Sequence, residues 1–317
     1  MHAEAPTSLI FGWDPLWFAT GVFAVTYILV MTERINRAIV AMLAAGVMVL
    51  AGVLTQKQAV AGVDFNTLGL LTGMMVIVSI TRKSGVFQYL AVWSAKKVNA
   101  DPWGILVMLA LVTAVLSAFL DNVTTVLLVA PVTLLITETL KVSPYPYLFT
   151  QIFAANIGGT ATLIGDPPNI MIGSAVGYTF NDFVFHLTPV VVVIMAATLV
   201  PVYLIWGRKL RAALDDRRRV MEYDEKEAIT DRRVLVQSLS VLALVIAGFI
   251  AAHNLGQEPS TIALFGAAEL LLLDNYPRTA EAQTHAGHSA LIEVEWVTLF
   301  FFLGLFIVAT GWRPLGH

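Results

Sequence analysis

The sequence predicts an all-α integral membrane protein built from an inverted repeat, and three observations lead to this prediction. Hydrophobic residues make up 57% of the chain and charged residues 13%, and the mean hydropathy is +0.77. Soluble domains carry about a quarter charged residues, so the chain lacks the polar surface of a water-soluble fold. Apolar runs approach the roughly 20 residues that a bilayer-crossing helix needs. A pattern from the N-terminal half also returns near the C-terminus.

The composition excludes several classes of function. The net charge of −3 argues against nucleic acid as a partner, and the chain contains no cysteine. Disulfides, thiolate metal sites and cysteine nucleophiles are therefore excluded. The six histidines are expected in termini or loops without the spacing of metal ligands, and His285 and His288 are expected as solvated loop residues. Residues 1–12 carry no basic stretch before the first apolar run, so we expect no cleaved signal peptide.

Simple membrane spans are predicted wherever an apolar run is uninterrupted. They cover Trp13–Met31, Asn36–Leu54, Asn66–Thr81, Phe185–Trp206, Val234–Ala252, Thr261–Asp274 and Trp296–Trp312. Ser84–Val98 differs because its apolar residues share one face and Lys96 and Lys97 close the segment. We expect this segment to lie along the membrane interface as part of a scaffold, or to be an ordinary connecting helix.

Two segments do not fit a simple span. Residues 103–140 are too long for one crossing and are interrupted at Asp121 and Asn122, which predicts a re-entrant helical hairpin. Residues 148–178 contain glycine and proline in their middle, at 156–160 and 165–169. Because glycine and proline do not sustain a helix there, the sequence predicts an unwound transmembrane helix. Such backbone survives at membrane depth only when it is buried in protein or lines a cavity.

The distribution of basic residues favours the hairpin. If residues 103–140 enter and leave on one side, every lysine and arginine except Lys57 and Arg313 falls on the same face. A single crossing would instead place the arginine-rich loop outside. The positive-inside rule therefore predicts a multi-pass protein of the cell membrane, with the N-terminus external and the Arg208–Arg233 loop cytoplasmic. Acidic residues alternate with the basic ones in this loop, which again disfavours a nucleic-acid patch.

An internal repeat divides the chain. The residues from Glu295 to Gly304 repeat the acid, aromatic, Thr, Leu and Gly pattern of Asp64 to Gly73 at an offset of 231 residues. Chance similarity between apolar helices is the alternative. We assign residues 13–206 to a first repeat, 207–233 to the charged loop, and 234–317 to an incomplete second repeat.

The number of crossings sets the relation between the repeats. An odd number of crossings in the first repeat inverts the second, and inverted repeats with broken helices at their interface are typical of secondary transporters. Counterparts of the hairpin and of the unwound helix do not occur before His317, so about 110 residues of a full second repeat are missing. A fragment, a truncated gene or two complementing chains would each explain this.

Polar residues at the two interruptions form the candidate site. Asp121, Asn122, Thr124 and Thr125 occupy the tip of the hairpin, and a helix N-terminus there suits an anion. Residues 156–162 offer the same chemistry through an amide, bare glycine backbone and hydroxyls. Asp121, Asp166 and unwound carbonyl groups suit sodium or a proton. The alternatives are that Asp121 is a helix cap and that Asp166 forms a turn before Pro167. Glu269 lies in mid-span and would relay protons or face a polar partner helix.

The stretch Ser117–Thr125, together with Ala155–Asn169, closely resembles the ion transporter superfamily. The nearest group contains the melanosomal P protein, the arsenite-efflux permeases and NhaD-type sodium/proton antiporters, with a citrate-transporter-like domain. The resemblance implies an elevator-type fold of scaffold helices, re-entrant hairpins and unwound helices. It also implies substrate or coupling-ion contacts at Asp121, Asn122, Thr124, Thr125, Asn156, Gly158, Gly159, Thr160, Thr162, Asp166 and Asn169.

The predicted function is therefore secondary active transport of a small ion across the lipid bilayer. The substrate would be arsenite or another oxyanion, a carboxylate or another anion, coupled to sodium or protons, with sodium bound near Asp121 and Asn156. A sodium/proton antiporter is the alternative, and a homodimer through the scaffold helices remains open. Two more distant alternatives are an intramembrane aspartic protease that uses Asp121 and Asp166 as a dyad, and a passive channel. No enzyme activity and no resident cofactor are expected.

Overall fold

The computed structural model describes residues 12, 14–276 and 280–312, and the chain is helical along most of these ranges. The α-helices are α1 (Pro15–Met31), α2 (Arg37–Leu50), α3 (Gln56–Ala61), α4 (Phe65–Arg82), α5 (Val86–Lys97), α6 (Pro102–Ser117), α7 (Asn122–Thr139), α8 (Tyr145–Gly159), α9 (Pro167–Val176), α10 (Phe180–Val202), α11 (Leu214–Met221), α12 (Arg232–Leu255), α13 (Pro259–Asn275), α14 (Ala280–Ile292) and α15 (Trp296–Trp312). A π-helical turn, Tyr203–Gly207, extends α10, and a short 3₁₀ helix covers Glu225–Ala228.

The chain forms two compact units. One contains Met1–Leu68 and Val294–His317, and the other contains Gly69–Glu293. Helices α1 to α3 and α15 therefore belong to the first unit and α5 to α14 to the second, while α4 begins in the first unit and continues into the second.

In the first unit, α15 packs along α2 and also contacts α1 and α3. The contact with α2 is close because Gly304 has no side chain, and a methyl group there would lie 2.6 Å from the backbone carbon of Ala41. Met48 and Val308 are fully buried in the core between these helices. At one end of α2, Arg37 donates to the hydroxyl of Thr298 at 2.9 Å.

In the second unit, α6 and α8 run side by side in the same direction. The hydroxyl of Tyr147 donates to the carbonyl of Pro102 at 2.9 Å near their starts, and Ser117 Oγ donates to the carbonyl of Ala155 at 2.7 Å near their ends. Helix α7 runs in the opposite direction beside α8. Pro131 lies inside α7 and donates no amide hydrogen to the preceding turn.

Further contacts in this unit involve α4, α10, α12 and α13. Helix α12 packs against α13 and α10. Helix α4 approaches α13 at Gly73, where a methyl group would lie 2.6 Å from the backbone carbon of Ala263.

Several helices have the length and composition of membrane spans. By these criteria, residues 65–82, 122–139, 180–207 and 232–252 can cross a membrane, and α1, α2, α6 and α15 are shorter apolar helices. The predicted span 261–274 lies inside α13. The all-helical architecture agrees with the predicted class of an integral membrane protein.

The structure of two segments bears on their predictions. For Ser84–Val98 the structure favours the alternative of a connecting helix, because the apolar face of α5 packs on α6 and α7, with Phe87 and Ala91 almost inaccessible. The segment of His285 and His288 was expected to be a loop, but 280–292 form α14. A run of small residues with little periodicity gave no helical signal there, although such residues tolerate a helix.

The expectation that the histidines lie in termini or loops was wrong for four of them. His186 lies in α10, His253 in α12, and His285 and His288 in α14, so these four are helical rather than in loops. His2 and His317 lie outside the described residues.

The close contact at Gly304 gives a first prediction. Gly304→Ala should lower the free energy of unfolding by about 1–3 kcal/mol, because the added methyl group meets backbone that cannot move aside. The measurement is thermal unfolding of the purified protein in detergent.

Gly46→Ala is the matched control, since Gly46 is also helical and has open space around its Cβ position. This change should be neutral or stabilise by up to about 1 kcal/mol. Equal effects of the two substitutions would contradict the packing of α15 on α2.

Candidate ion-binding site

The first interruption lies between α6 and α7. Helix α6 ends at Ser117, and α7 begins at Asn122 because the Asp121 carboxylate accepts a hydrogen bond from the Thr124 amide at 2.8 Å. The hydroxyl of Thr125, which is fully buried, donates to the carbonyl of Asp121 at 2.9 Å. Asp121 is therefore the N-cap of α7. The alternative prediction, that Asp121 is a helix cap, is correct for one oxygen of its carboxylate. The cap places a carboxylate at a helix N-terminus, where its charge is favourable.

The second interruption begins later than predicted. The sequence suggested loss of helix from Asn156 onward, but α8 continues through Gly159, and residues 160–166 are non-helical. The prediction was wrong at Gly158 and Gly159 because these glycines serve a close helix contact. A methyl group at Gly158 would lie 2.2 Å from the carbonyl oxygen of Ala114 on α6.

The non-helical stretch 160–166 folds back against both helices. A methyl group at Gly165 would lie 2.5 Å from the carbonyl oxygen of Gly159 and 2.6 Å from that of Ser117. Only glycine permits this approach, so the glycines let the two interruptions touch.

Asp166 precedes α9, but its side chain makes no capping hydrogen bond. The reason is local, because Pro167 and Pro168 occupy the first helical positions and have no N–H groups to donate. The first amide of α9 belongs to Asn169, and it donates to the backbone carbonyl of Asp166 at 3.0 Å. The half-buried Asp166 carboxylate is thus left available for another partner.

Asn169 and Thr162 hold the non-helical backbone together. The buried carboxamide of Asn169 donates to three carbonyl groups, those of Gly159 at 3.2 Å, Thr160 at 3.4 Å and Thr162 at 2.8 Å. The buried hydroxyl of Thr162 donates to the carbonyl of Ala118 and accepts from the Gly165 amide at 3.2 Å. These bonds satisfy polar backbone groups that would otherwise be left unpaired inside the protein.

The helix ends that flank the two interruptions are joined by a direct contact. Asn122 Nδ2, at the start of α7, donates to Asn156 Oδ1, in the last turn of α8, at 2.9 Å. Asn156 is exposed, as is Thr160, while Asp121 and Asn122 are half-buried. The structure therefore brings the two predicted groups of polar residues together and leaves one face of the cluster open.

Two carboxylates belong to this cluster. Asp121 caps α7, and Asp166 follows Gly165, which touches the Ser117 carbonyl at the end of α6. Carboxylates that lie close together repel each other, and a bound cation or a proton relieves this repulsion. The N-terminus of α7 adds partial positive charge, so the cluster has features that suit both signs of ion.

The opposite side of the cluster is apolar. A cleft of about 580 Å³ runs between α6, α10 and α12 and is bordered by Ala118, Gly158 and Thr162. Its walls are almost entirely aliphatic and aromatic side chains, such as Val192 and Ile250. An ion would lose its hydration there without compensation, so the face that carries Asn122 and Asn156 suits an ion better than this cleft does.

Glu269 does not join this cluster among the residues that the structure describes. It lies in α13, which packs on α12, and its Oε2 is buried with no hydrogen-bond partner in the described part of the chain. Its role as a proton relay stays a prediction.

Two contributors were not among the predicted site residues. Ser117 joins the end of α6 to α8 through its bond to the Ala155 carbonyl, and Gly165 permits the contact between the interruptions. Both stand within the sequence motifs, but neither carries a charge or an amide that would single it out. The glycine next to Asp166 was the one available signal.

The fold and this cluster define a multi-pass membrane protein with paired helix interruptions that suit a small ion. Residues 27–316 match the family model described as citrate transporter. The chain therefore belongs to the citrate transporter family, and the resemblance inferred from the sequence motifs is confirmed.

Three related proteins each match 92% of this chain. An uncharacterized transporter of Mycobacterium tuberculosis (strain ATCC 25618 / H37Rv) is 42% identical over 294 residues, covering 92% of this chain and 66% of the relative. The 46 kDa membrane protein of Mycobacterium leprae is 42% identical over 300 residues, with the same coverage. The P protein of Sus scrofa is 30% identical over 366 residues, covering 92% of this chain and 42% of that protein.

Two points follow from these relatives. The chain spans 66% of the length of the mycobacterial relatives. The family and the Mycobacterium tuberculosis relative are named as transporters rather than as enzymes, so the comparisons give no support to the aspartic protease considered above.

Asn169 gives the second prediction. Asn169→Asp keeps the shape of the side chain but replaces the donor with a carboxylate that faces three carbonyl groups. Loss of a buried donor costs about 1–3 kcal/mol and the added charge costs more, so the free energy of unfolding should fall by at least this amount in a denaturation experiment.

Asn181→Asp is the control, because Asn181 makes a single hydrogen bond, to the Ile250 carbonyl at 3.0 Å, in a more exposed position. Its effect should stay within about 0.5 kcal/mol, as for other surface substitutions. A variant Asn169→Asp as stable as this control would show that the 160–166 stretch does not depend on the carboxamide.

Proposed function

We propose that the chain is the site-bearing part of a secondary active transporter that moves a small anion across the membrane, driven by sodium ions or protons. One observation carries the proposal, the contact inside an apolar helical bundle between Asn122, which begins α7 after the first interruption, and Asn156, which lies in the last turn of α8 before the second. Interrupted helices of this kind form the substrate and ion sites of many secondary transporters. Membership of the citrate transporter family supports the same function.

The chemistry of the open face favours an oxyanion, such as arsenite, or a carboxylate as the substrate. The second N–H of the Asn122 carboxamide and the hydroxyl of Thr124 offer hydrogen-bond donors for an anion, beside the partial positive charge of the α7 N-terminus. Asp121, Asp166 and the carbonyl groups of 160–166 offer oxygen ligands for sodium, or a site for a proton. Binding of the coupling ion would remove the repulsion between the carboxylates, so both ions would bind more tightly together than alone.

The architecture that fits this function is an inverted repeat of the elevator type. Helix packing supports the repeat, because Gly73 of α4 contacts α13 and its repeat partner Gly304 of α15 contacts α2. A second matching pair of residues on α4 and α15 contacts the neighbouring short helices, since Ser79 of α4 contacts Ala290 of α14 and Thr310 of α15 packs on Gly62, which follows α3. In both cases a helix of one repeat would pack on a helix of the other repeat. A pseudo-two-fold axis that relates the two repeats requires such reciprocal contacts.

The proposed orientation places the protein in the cell membrane with an external N-terminus and a cytoplasmic Arg208–Arg233 segment. The lipid bilayer and the transported ion are its proposed partners. A homodimer through the scaffold helices would be compatible with this arrangement.

A sodium/proton antiporter is the second candidate. The placement of Asp121 and Asp166 at the two interruptions favours it, because carboxylates can hold either a proton or a sodium ion. An antiporter would acidify or alkalinise vesicles in response to sodium without any added anion. Anion-dependent flux separates the two candidates.

Asp121 gives the third prediction. Asp121→Asn keeps a good helix cap but removes the charge, so gradient-driven uptake into proteoliposomes should fall about tenfold or more, as expected when a charged ligand worth roughly 1.5–3 kcal/mol is lost. The measurement is the initial rate of uptake of arsenite or citrate under an imposed sodium or pH gradient.

Asp101→Asn is the matched control, because Asp101 caps α6 by accepting from the Gly104 amide at 2.9 Å, at the other end of the same helix pair. Its uptake rate should equal that of the unmodified protein. Undiminished uptake by Asp121→Asn would remove this carboxylate from the mechanism, and flux without accumulation against a gradient would identify a passive channel.

A further inference from the structure

Residues 208–233, here called the strap, are packed against the second unit rather than freely solvated. Val220 is completely buried and Asp216 is 6% exposed, although both lie in a segment rich in charge. Val220 joins a core cluster with Ala100 and Leu140, which belong to the turns that follow α5 and α7. The sequence predicted only a charged loop, because composition does not reveal which charges are paired.

The strap binds two helix-connecting turns through α11. Arg217 donates to the carbonyl of Asn99, at 2.8 Å from its terminal nitrogen, in the turn between α5 and α6. Lys141, in the turn between α7 and α8, donates to Asp216 at 2.9 Å. Asn99 and Lys141 both have left-handed backbone, with φ of 53° and 55°. These turns are costly for residues other than glycine, and the strap supplies each of them with a partner.

A second group of contacts lies beyond α11. Lys96 of α5 donates to the Glu225 carboxylate at 2.5 Å and to the Tyr223 carbonyl at 3.0 Å. The hydrogen bond from Lys96 holds the pKa of the Glu225 carboxyl below its usual value, so this ion pair is present at neutral pH and is lost only on strong acidification. The phenol of Tyr223 bonds the hydroxyl of Thr139 at the end of α7 at 2.5 Å.

The strap also reaches the turn between α4 and α5. The Thr230 amide donates to the Ser84 carbonyl at 3.1 Å. Gly85, with φ of 79°, allows the Ala228 carbonyl to approach so closely that a methyl group at Gly85 would overlap it.

We propose that the strap holds the bases of α5, α6, α7 and α8 as one rigid body, and that Lys96 and Lys141 are positioning residues for the ion site at the far ends of these helices. Both legs of the α6–α7 pair are fixed at their bases, about 24 Å from the Asp121 tip for a helix of the length of α6. The part of the proposal that concerns transport rests on the proposed function, whereas the rigid attachment does not.

Protease protection tests the attachment without any transport. Asp216→Asn should raise the rate of tryptic cleavage within 208–233 about tenfold in native membranes, because cleavage follows the population of detached strap. Asp215→Asn is the matched control, since Asp215 pairs with Arg218 at 3.6 Å with both side chains largely exposed, and it should leave the rate unchanged. The exchanged pair Lys141→Asp with Asp216→Lys should restore protection at the tryptic sites that the segment already has, with the new site at position 216 left out of the count. Equal cleavage of the two single variants would overturn the proposal.

Cross-linking tests the rigid-body role. The chain has no cysteine, so Lys141→Cys with Asp216→Cys introduces the only two thiols, which a short bifunctional thiol reagent can join. The joined protein should keep the initial rate of uptake of the same protein treated with a monofunctional reagent. Failure to join the thiols, or loss of uptake only after joining, would overturn the proposal. If the unmodified protein shows no uptake, the proposed function fails and protease protection alone decides on the strap.

Discussion

The candidate site depends on one constraint, that polar backbone inside an apolar helical bundle must find hydrogen-bond partners. Carbonyl groups are left without a helical partner where α6 and α8 end, and amide groups are left so where α7 begins. The side chains of Asn169 and Thr162 donate to the carbonyl groups, and Asp121 accepts from an amide as the cap of α7. Without these bonds the interruptions would cost several kcal/mol each in such surroundings, and the chain would gain by continuing as regular helix. The polar face that suits an ion is therefore a by-product of how the backbone is satisfied.

Much of the architecture could be predicted from the sequence because it depends on local composition. Apolar run length located most helices, and an aspartate followed by an amide and two hydroxyls located the start of α7. What failed depended on contacts between distant residues. Gly158 looked like a helix breaker, but its role is to admit the Ala114 carbonyl, and a sequence does not tell these two uses of glycine apart. The buried face of α5 resembled an interfacial one, since burial in protein and in lipid demand the same side chains.

Gly73 and Gly304 also show that contacts between distant residues determine where a glycine is needed. In the sequence, these glycines are two matching residues of a weak internal repeat. In the structure each lies where two helix backbones come within contact distance, against Ala263 and Ala41. A physical requirement for close approach explains why the residue type recurs, which similarity of apolar composition would not.

Pro131 has a consequence for the leg that carries Asp121. Because proline donates no amide hydrogen, the carbonyl of Leu127 lacks its intrahelical bond, and α7 is weakest about halfway along its length. Any bending of this helix is concentrated at that point rather than spread over 18 residues. The half of α7 that begins at Asp121 and Asn122 can thus change its tilt, while the half that ends at Thr139 keeps its packing.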